Sequence, residues 1–190
     1  RDVLGSRGLG DVYKRQEEGT PVMRPMVFEF MNDPAVPYLD QQYMLGDALL
    51  VAPVFREDKT AQYYLPEGTW TELLTGETKE GGRWYQGTYD YFSMPLYIRE
   101  NSIVVRGNCD TRPDYDYADH ATVCVYQLKD AAETKVPDVH GNTVFTVKAV
   151  KEGDAVKVSV EGAHTELKVE VFVGNEKKEA CLLYTSDAAD

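Results

Sequence analysis

Histidine and cysteine are scarce in this chain, three of each among 190 residues, and that scarcity removes most of the chemistry built on them. Cys109, Cys124 and Cys181 form neither a C-x-x-C pair nor a dense framework, which argues against a zinc ribbon and against a disulfide-stapled scaffold. They are read as reduced thiols, and the expected location is cytoplasmic. His120, His140 and His164 fall on turns or loops without His, Cys or Asp partners at ligand spacing. No metal and no cofactor is therefore expected. Positive charge is also short: Lys and Arg number 20 against 32 Asp and Glu, a net charge of −12. Such a field repels phosphates, so neither a nucleic acid nor an anionic membrane is an expected partner. No apolar run approaches the ~18 residues of a membrane span. The succession of a secretory signal is missing as well.

Sites of reaction are equally thin. Ser93 and Ser102 lack a G-x-S-x-G elbow, and Gly81-Gly82 is followed by no GK[ST], which excludes a phosphate loop. Asp114, Asp116 and Asp119 have the spacing of a calcium loop without its turn glycine or its distal Glu, and read as a solvated acidic linker. Glu29 is the one acid placed where barrel chemistry could occur. Alone it cannot run glycoside hydrolysis, which needs two facing carboxyls, so it is expected to be a structural hydrogen-bond acceptor.

What the chain does have is strands. Thr20 to Phe30, TPVMRPMVFEF, is a mostly apolar run expected to form one strand buried on both faces. Asp33 and Pro34 offer a helix start with room for a turn or two. Leu49 to Phe55 is a second apolar run, with Pro53 marking an edge or bulge. Gln62 to Leu65 and Thr69 to Leu74 flank the turn Pro66-Glu67-Gly68, and Tyr91 to Val105 holds two more strand-like pieces. Composition shifts to acidic and polar over Asn108 to His120. After it Thr122 to Leu128, Thr143 to Val150, Ala155 to Glu161 and Leu167 to Val173 read as short strands. VKVSVE and LKVEVFV alternate at period two, as in a sheet with one wet face. Segments with a sustained helical period and internal repeats are both missing.

Aromatics are the enriched class, with 13 Tyr, 6 Phe and 2 Trp. Tyr63, Tyr64, Trp70, Trp84, Tyr85, Tyr89, Tyr91, Phe92 and Tyr97 crowd one region. Rings of this kind fill a sandwich core or stack on sugars, and core or interface packing is the expectation.

Several motifs, in order, then resemble glycoside hydrolase family 31. They are Gly19-Thr20-Pro21-Val22-Met23-Arg24-Pro25 with Glu29-Phe30 and Asp33, and Gln42-Tyr43-Met44-Leu45-Gly46-Asp47 followed by Leu50-Val51-Ala52-Pro53-Val54. Tyr64-Leu65-Pro66-Glu67-Gly68-Thr69-Trp70 and Pro95-Leu96-Tyr97-Ile98-Arg99-Glu100-Asn101-Ser102-Ile103 continue the register. Asn108 to Tyr115 resembles the α-xylosidase branch. The resemblance implies a C-terminal fragment of a retaining α-glycosidase, whose (β/α)8 barrel carries an aspartate nucleophile and an aspartate acid/base. Neither motif for those aspartates occurs here, so no catalytic residue is carried over. Met23, Arg24 and Pro25 match barrel-strand positions and are scaffold by default.

The expected architecture is mainly β: the last strand of a (β/α)8 barrel, an antiparallel β-sandwich and a second, smaller β-domain. Residues 1–16 and 180–190 resemble adapter-derived sequence or are disordered; 17–40 are the barrel remnant, 41–107 the proximal sandwich, 108–120 a linker and 121–179 the distal domain. The implied function is structural, within an α-xylosidase-like or α-glucosidase-like enzyme of carbohydrate metabolism. The chain alone is expected to be inactive, its partner being the parent's missing catalytic barrel, through which alone it meets carbohydrate. The alternative is an autonomous carbohydrate-binding β-sandwich module.

Overall fold

A computed structural model of the chain describes residues 19–182 except 110, 113–114, 139–141 and 163–164. The segment 1–16, His140, His164 and Asp114 thus lie outside the described residues, as do residues 183–190.

The described residues form fifteen short strands. A six-stranded antiparallel sheet holds β1 (Met23–Pro25), β2 (Tyr43–Leu45), β3 (Leu49–Val51), β8 (Leu96–Arg99), β5 (Thr69–Glu72) and β6 (Thr78–Glu80), in that spatial order. A two-stranded layer pairs β4 (Thr60–Leu65) with β7 (Arg83–Thr88). A four-stranded sheet runs β15 (Glu176–Leu182), β14 (Leu167–Val173), β10 (Thr122–Tyr126), β9 (Ser102–Arg106). The last layer is the meander β11 (Ala131–Pro137), β12 (Thr143–Glu152), β13 (Ala155–Gly162).

Side-chain alternation explains how the four layers stack. In the six-stranded sheet Met44, Leu50, Tyr97 and Trp70 point one way, into a core shared with Ala61, Tyr63 and Leu65 of β4. Their neighbours Leu49, Val51 and Ile98 point the other way, against Val104, Cys124 and Tyr126 of the four-stranded sheet. That sheet repeats the device: Ile103, Val123, Val125, Leu167 and Val169 face Val136, Phe145, Val147 and Ala149 of the meander. The central strands of the two inner sheets are therefore covered on both faces, and period-two strands supply three cores. β13 keeps the one wet face its sequence implies, whereas Phe172 of β14 joins the middle core.

Three details depart from the sequence reading. Thr20 to Phe30 is not one buried strand. Only Met23–Pro25 is extended, it pairs antiparallel with β2, and a helical turn, α1 (Met26–Glu29), follows directly. Pro25 ends the strand because it has no N–H for a ladder, while its φ of −61° suits the residue that precedes a helix. The apolar run from Leu49 likewise stops as a strand at Val51, before Pro53. At the other end β15 runs to Leu182, which pairs with Leu167, so strand structure continues into the segment beginning at residue 180.

Asp33 does cap a turn, accepting the Ala35 N–H at 3.0 Å, with a single 3-10 turn at Val36–Tyr38 beyond it. Most pairs are antiparallel, but β10 and β14 run parallel. The whole meander is inserted in the crossover between them, since β11, β12 and β13 lie between these two strands in the chain.

Candidate functional site

Three groups of side chains carry the polar and aromatic character that the sequence singles out. The first lies where the chain enters the six-stranded sheet. Arg24 is buried, donates from Nε to the Pro21 carbonyl at 2.8 Å and forms a short ion pair with Glu29. Arg99 lies 3.9 Å from the second Glu29 oxygen and rests its guanidinium over the Phe30 ring, 5.1 Å from the centroid. Phe30 in turn packs on Trp70, whose indole N–H donates to the Pro66 carbonyl at 2.8 Å. Glu29 is thus engaged as an acceptor by arginine. In the same stretch of chain, Met23, Val27, Phe28 and Met31 are exposed, from 48% at Val27 to 76% at Met31. Exposed apolar side chains gathered in one segment are the expected form of a contact surface.

The second group is the interior of the aromatic region. Tyr63 and Tyr97 are fully buried, with hydroxyls 2.8 Å apart, and Tyr89 donates to Tyr63 at 3.2 Å. Lys79 caps the trio, donating to Tyr63 at 3.0 Å and to Tyr97 at 2.6 Å, and its ammonium lies about 5 Å from the ring centroids of Tyr85 and Tyr97. Burial pushes the phenols of Tyr63, Tyr89 and Tyr97 well above their ordinary range, and the Glu72 charge adds to the effect. A neutral hydroxyl chain sealed by one cation is a packing device; it offers no nucleophile.

The third group joins the two inner sheets. Gln127 donates to Thr71 Oγ1 at 3.1 Å and exchanges hydrogen bonds with the backbone of Gly174. Asn175 accepts from both the N–H and hydroxyl of Thr78. Glu100 accepts the Thr69 N–H at 2.8 Å and pairs with Lys129 at 2.6 Å. Burial works to raise the Glu100 pKa, but Lys129 and the Thr69 N–H outweigh it and hold the carboxyl below its usual range.

The nine clustered aromatics divide by depth. Tyr63, Tyr64, Trp70 and Tyr97 are buried, Tyr85 and Tyr89 half-buried, and Trp84, Tyr91 and Phe92 exposed. Asp116 and Asp119 serve local turns. Asp116 accepts the Ala118 N–H, and Asp119 lies 2.6 Å from His120 Nδ1. Among the described residues no three His, Cys, Asp or Glu side chains converge as metal ligands would. Ser93 hydrogen-bonds Asp90 in the turn before β8, and Ser102 donates to the Glu100 carbonyl. The sequence reading missed Lys79, since a lysine in TKE gives no sign that three tyrosines from three other strands will converge on it.

Against this geometry the relatives can be placed. Residues 19–104 match the family model described as Glycosyl hydrolase family 31 C-terminal domain, and residues 116–184 match Alpha-xylosidase YicI, C-terminal domain. The chain belongs to glycoside hydrolase family 31, and corresponds to the C-terminal part of its enzymes. It is 33% identical over 162 residues to an alpha-xylosidase of Lactiplantibacillus pentosus, covering 83% of this chain and 21% of that one. It is 29% identical over 163 residues to alpha-glucosidase 2 of Bacillus thermoamyloliquefaciens, covering 84% and 20%. The chain thus spans about a fifth of the length of these curated relatives. Among solved structures, the cycloalternan-forming enzyme of Listeria monocytogenes superimposes with a TM-score of 0.80 at 24% identity, over 90% of this chain and 17% of that one. The alpha-xylosidase of Xanthomonas citri does so with a TM-score of 0.70 at 24% identity, over 93% and 23%. At that identity the likeness speaks to the fold.

Proposed function

We propose that this chain is the structural C-terminal portion of a retaining α-glycosidase of the α-xylosidase or α-glucosidase type, and that it is inactive alone. The observation that carries this reading is the exposed apolar set Met23, Val27, Phe28 and Met31, in the same stretch of chain as the Arg24–Glu29 ion pair at the start of the six-stranded sheet. A face of this kind is stable when another domain covers it. The residues from Met23 to Glu29 are then the junction between a catalytic barrel and the β-layers, and the covered central strands of the inner sheets give that junction a stiff backing. The carboxyl placed closest to the junction, Glu29, is already held by Arg24, which leaves it unsuited to act as one of two facing catalytic acids.

The test is hydrolysis of p-nitrophenyl α-D-xyloside and α-D-glucoside. The 190-residue chain should release nitrophenol no faster than buffer, and the same chain joined to the barrel of a relative should do so at enzyme-like rates. Turnover by the chain alone would overturn the reading.

A further inference from the structure

The outward face of the two-stranded layer is left over from everything described above. Alternation turns Tyr63 and Tyr85 inward and sets Gln62 opposite Gln86 on the other face. On that same face the next pair is Tyr64 with Trp84, and the pair beyond the glutamines is Thr60 with Thr88. Successive pairs lie ~7 Å apart along the strands, and partners ~5 Å apart across them. Not one of these six residues is charged, in a chain where 27% of residues are.

The state of the groups is as informative as their placement. Gln62 and Gln86 are exposed, and Trp84 keeps 47% of its surface in solvent. Buried Tyr64 backs the indole, with ring centroids 5.6 Å apart, so the Trp84 ring is held while much of it remains open. Among the described residues neither amide nor the Trp84 indole N–H has a hydrogen-bond partner, whereas the Thr60 hydroxyl is engaged by Asp58. Two free amides, each both donor and acceptor, therefore flank a supported aromatic face.

We propose that this face binds a neutral carbohydrate. Trp84 stacks against the C–H side of a sugar ring, and Gln62 and Gln86 reach hydroxyls of the next unit. An anionic ligand would need a cation turned toward the face, whereas Arg83, beside Trp84 in the chain, is paired with Glu80, and Lys59, beside Thr60, sets its ammonium over the Tyr91 ring, 5.4 Å from the centroid. A protein partner would need a contiguous apolar centre, which one ring bordered by amides does not provide. The proposal goes beyond the reading of the chain as a structural portion of a glycosidase and stands or falls separately from it.

The test uses the 190-residue chain and its own fluorescence. Of the two tryptophans, Trp70 is buried and hydrogen-bonded, so a change in emission on adding sugar reports Trp84. Maltotriose, isomaltotriose and a xyloglucan heptasaccharide are titrated, with glycerol at equal hydroxyl concentration as control. At least one sugar should give a saturable shift with half-saturation near millimolar, about the strength of a weak single-ring site. The double variant Gln62→Ala/Gln86→Ala, which leaves every core residue in place, should weaken binding at least about fivefold. Trp84→Ala should abolish the sugar-induced amide NMR shifts at residues 60–64 and 84–88 while leaving the far-ultraviolet spectrum unchanged. Absence of saturation with all three sugars would overturn the proposal, as would undiminished binding by the double variant. An emission shift that follows protein concentration instead of sugar would also overturn it, and would mark the face as a contact between copies.

Discussion

Lys79 shows how much one residue can hold. Its ammonium joins Tyr63 and Tyr97 and faces three rings, so replacing it removes charge-assisted hydrogen bonds from hydroxyls that cannot reach water. Lys79→Met should cost about 2 kcal/mol, read as a lower urea midpoint at unchanged slope. The tyrosines make a second prediction. Their folded pKa values are raised by burial above the ordinary 10.0, so above that pH the unfolded chain releases protons that the folded one retains. Stability from these groups is complete below pH 10 and is lost as pH rises beyond it. The full absorbance change of all 13 tyrosines should therefore be reached only together with unfolding; full amplitude before the loss of far-ultraviolet signal would refute the assignment. Glu100 works in the opposite direction. Its depressed pKa gives stability that is present at neutral pH and lost as pH falls through the carboxylate range. At this scale the sequence was readable where a residue's role is local, as with Asp33 at its turn. It was opaque where partners come from distant strands, as with Lys79 and Gln127.

The elements show why some strands were legible and others not. VKVSVE alternates and becomes β13, because a sheet with one wet face writes its period into the chain. TPVMRPMVFEF has no such period, and an apolar run reads alike as a strand or as a helical turn; Pro25 decides between them in the structure. β6, β7 and β11 escaped notice because TKE, RWYQGT and AAETKVP are too polar to resemble covered strands, each having at least one side chain in solvent. Turns at this scale are testable. A Cβ on Gly81 would lie 1.7 Å from the Pro66 carbonyl oxygen, a backbone atom that cannot step aside. Gly82 has open space but a φ of +75°. Gly82→Ala should therefore cost about 1 kcal/mol, and Gly81→Ala several times that or failure to fold, checked by thermal melts. Between the inner sheets, Tyr126 and Phe172 stack with centroids 4.5 Å apart, and Phe172→Ala should cost about 3 kcal/mol.

On the scale of the molecule, the middle core makes the layers interdependent. β9 precedes the acidic stretch in the chain yet lies in the same sheet as β10 beyond it, and its Val104 belongs to the core facing the six-stranded sheet. Heating should therefore give one transition, with Trp70 fluorescence and far-ultraviolet dichroism coincident. Two separated transitions would show that the layers melt apart. Layer stacking itself could not be read from the sequence, since period two tells which side chains share a face and not which sheet that face will meet. The family motifs carried the rest, because their residues hold one another: Glu100 joins Thr69 and Lys129, Asn101 accepts the Lys129 N–H, and Trp70 donates to Pro66.

The parallel pairing of β10 and β14 sets a timetable for synthesis. When β10 leaves the ribosome, only its β9 side has a companion; the other must wait until some forty further residues have been translated and have built a meander of their own. Until then Cys124 and Tyr126 belong to a half-finished sheet with an open flank. A nascent chain stalled anywhere between β11 and β13 should accordingly be the form most sensitive to protease and most readily held by a chaperone.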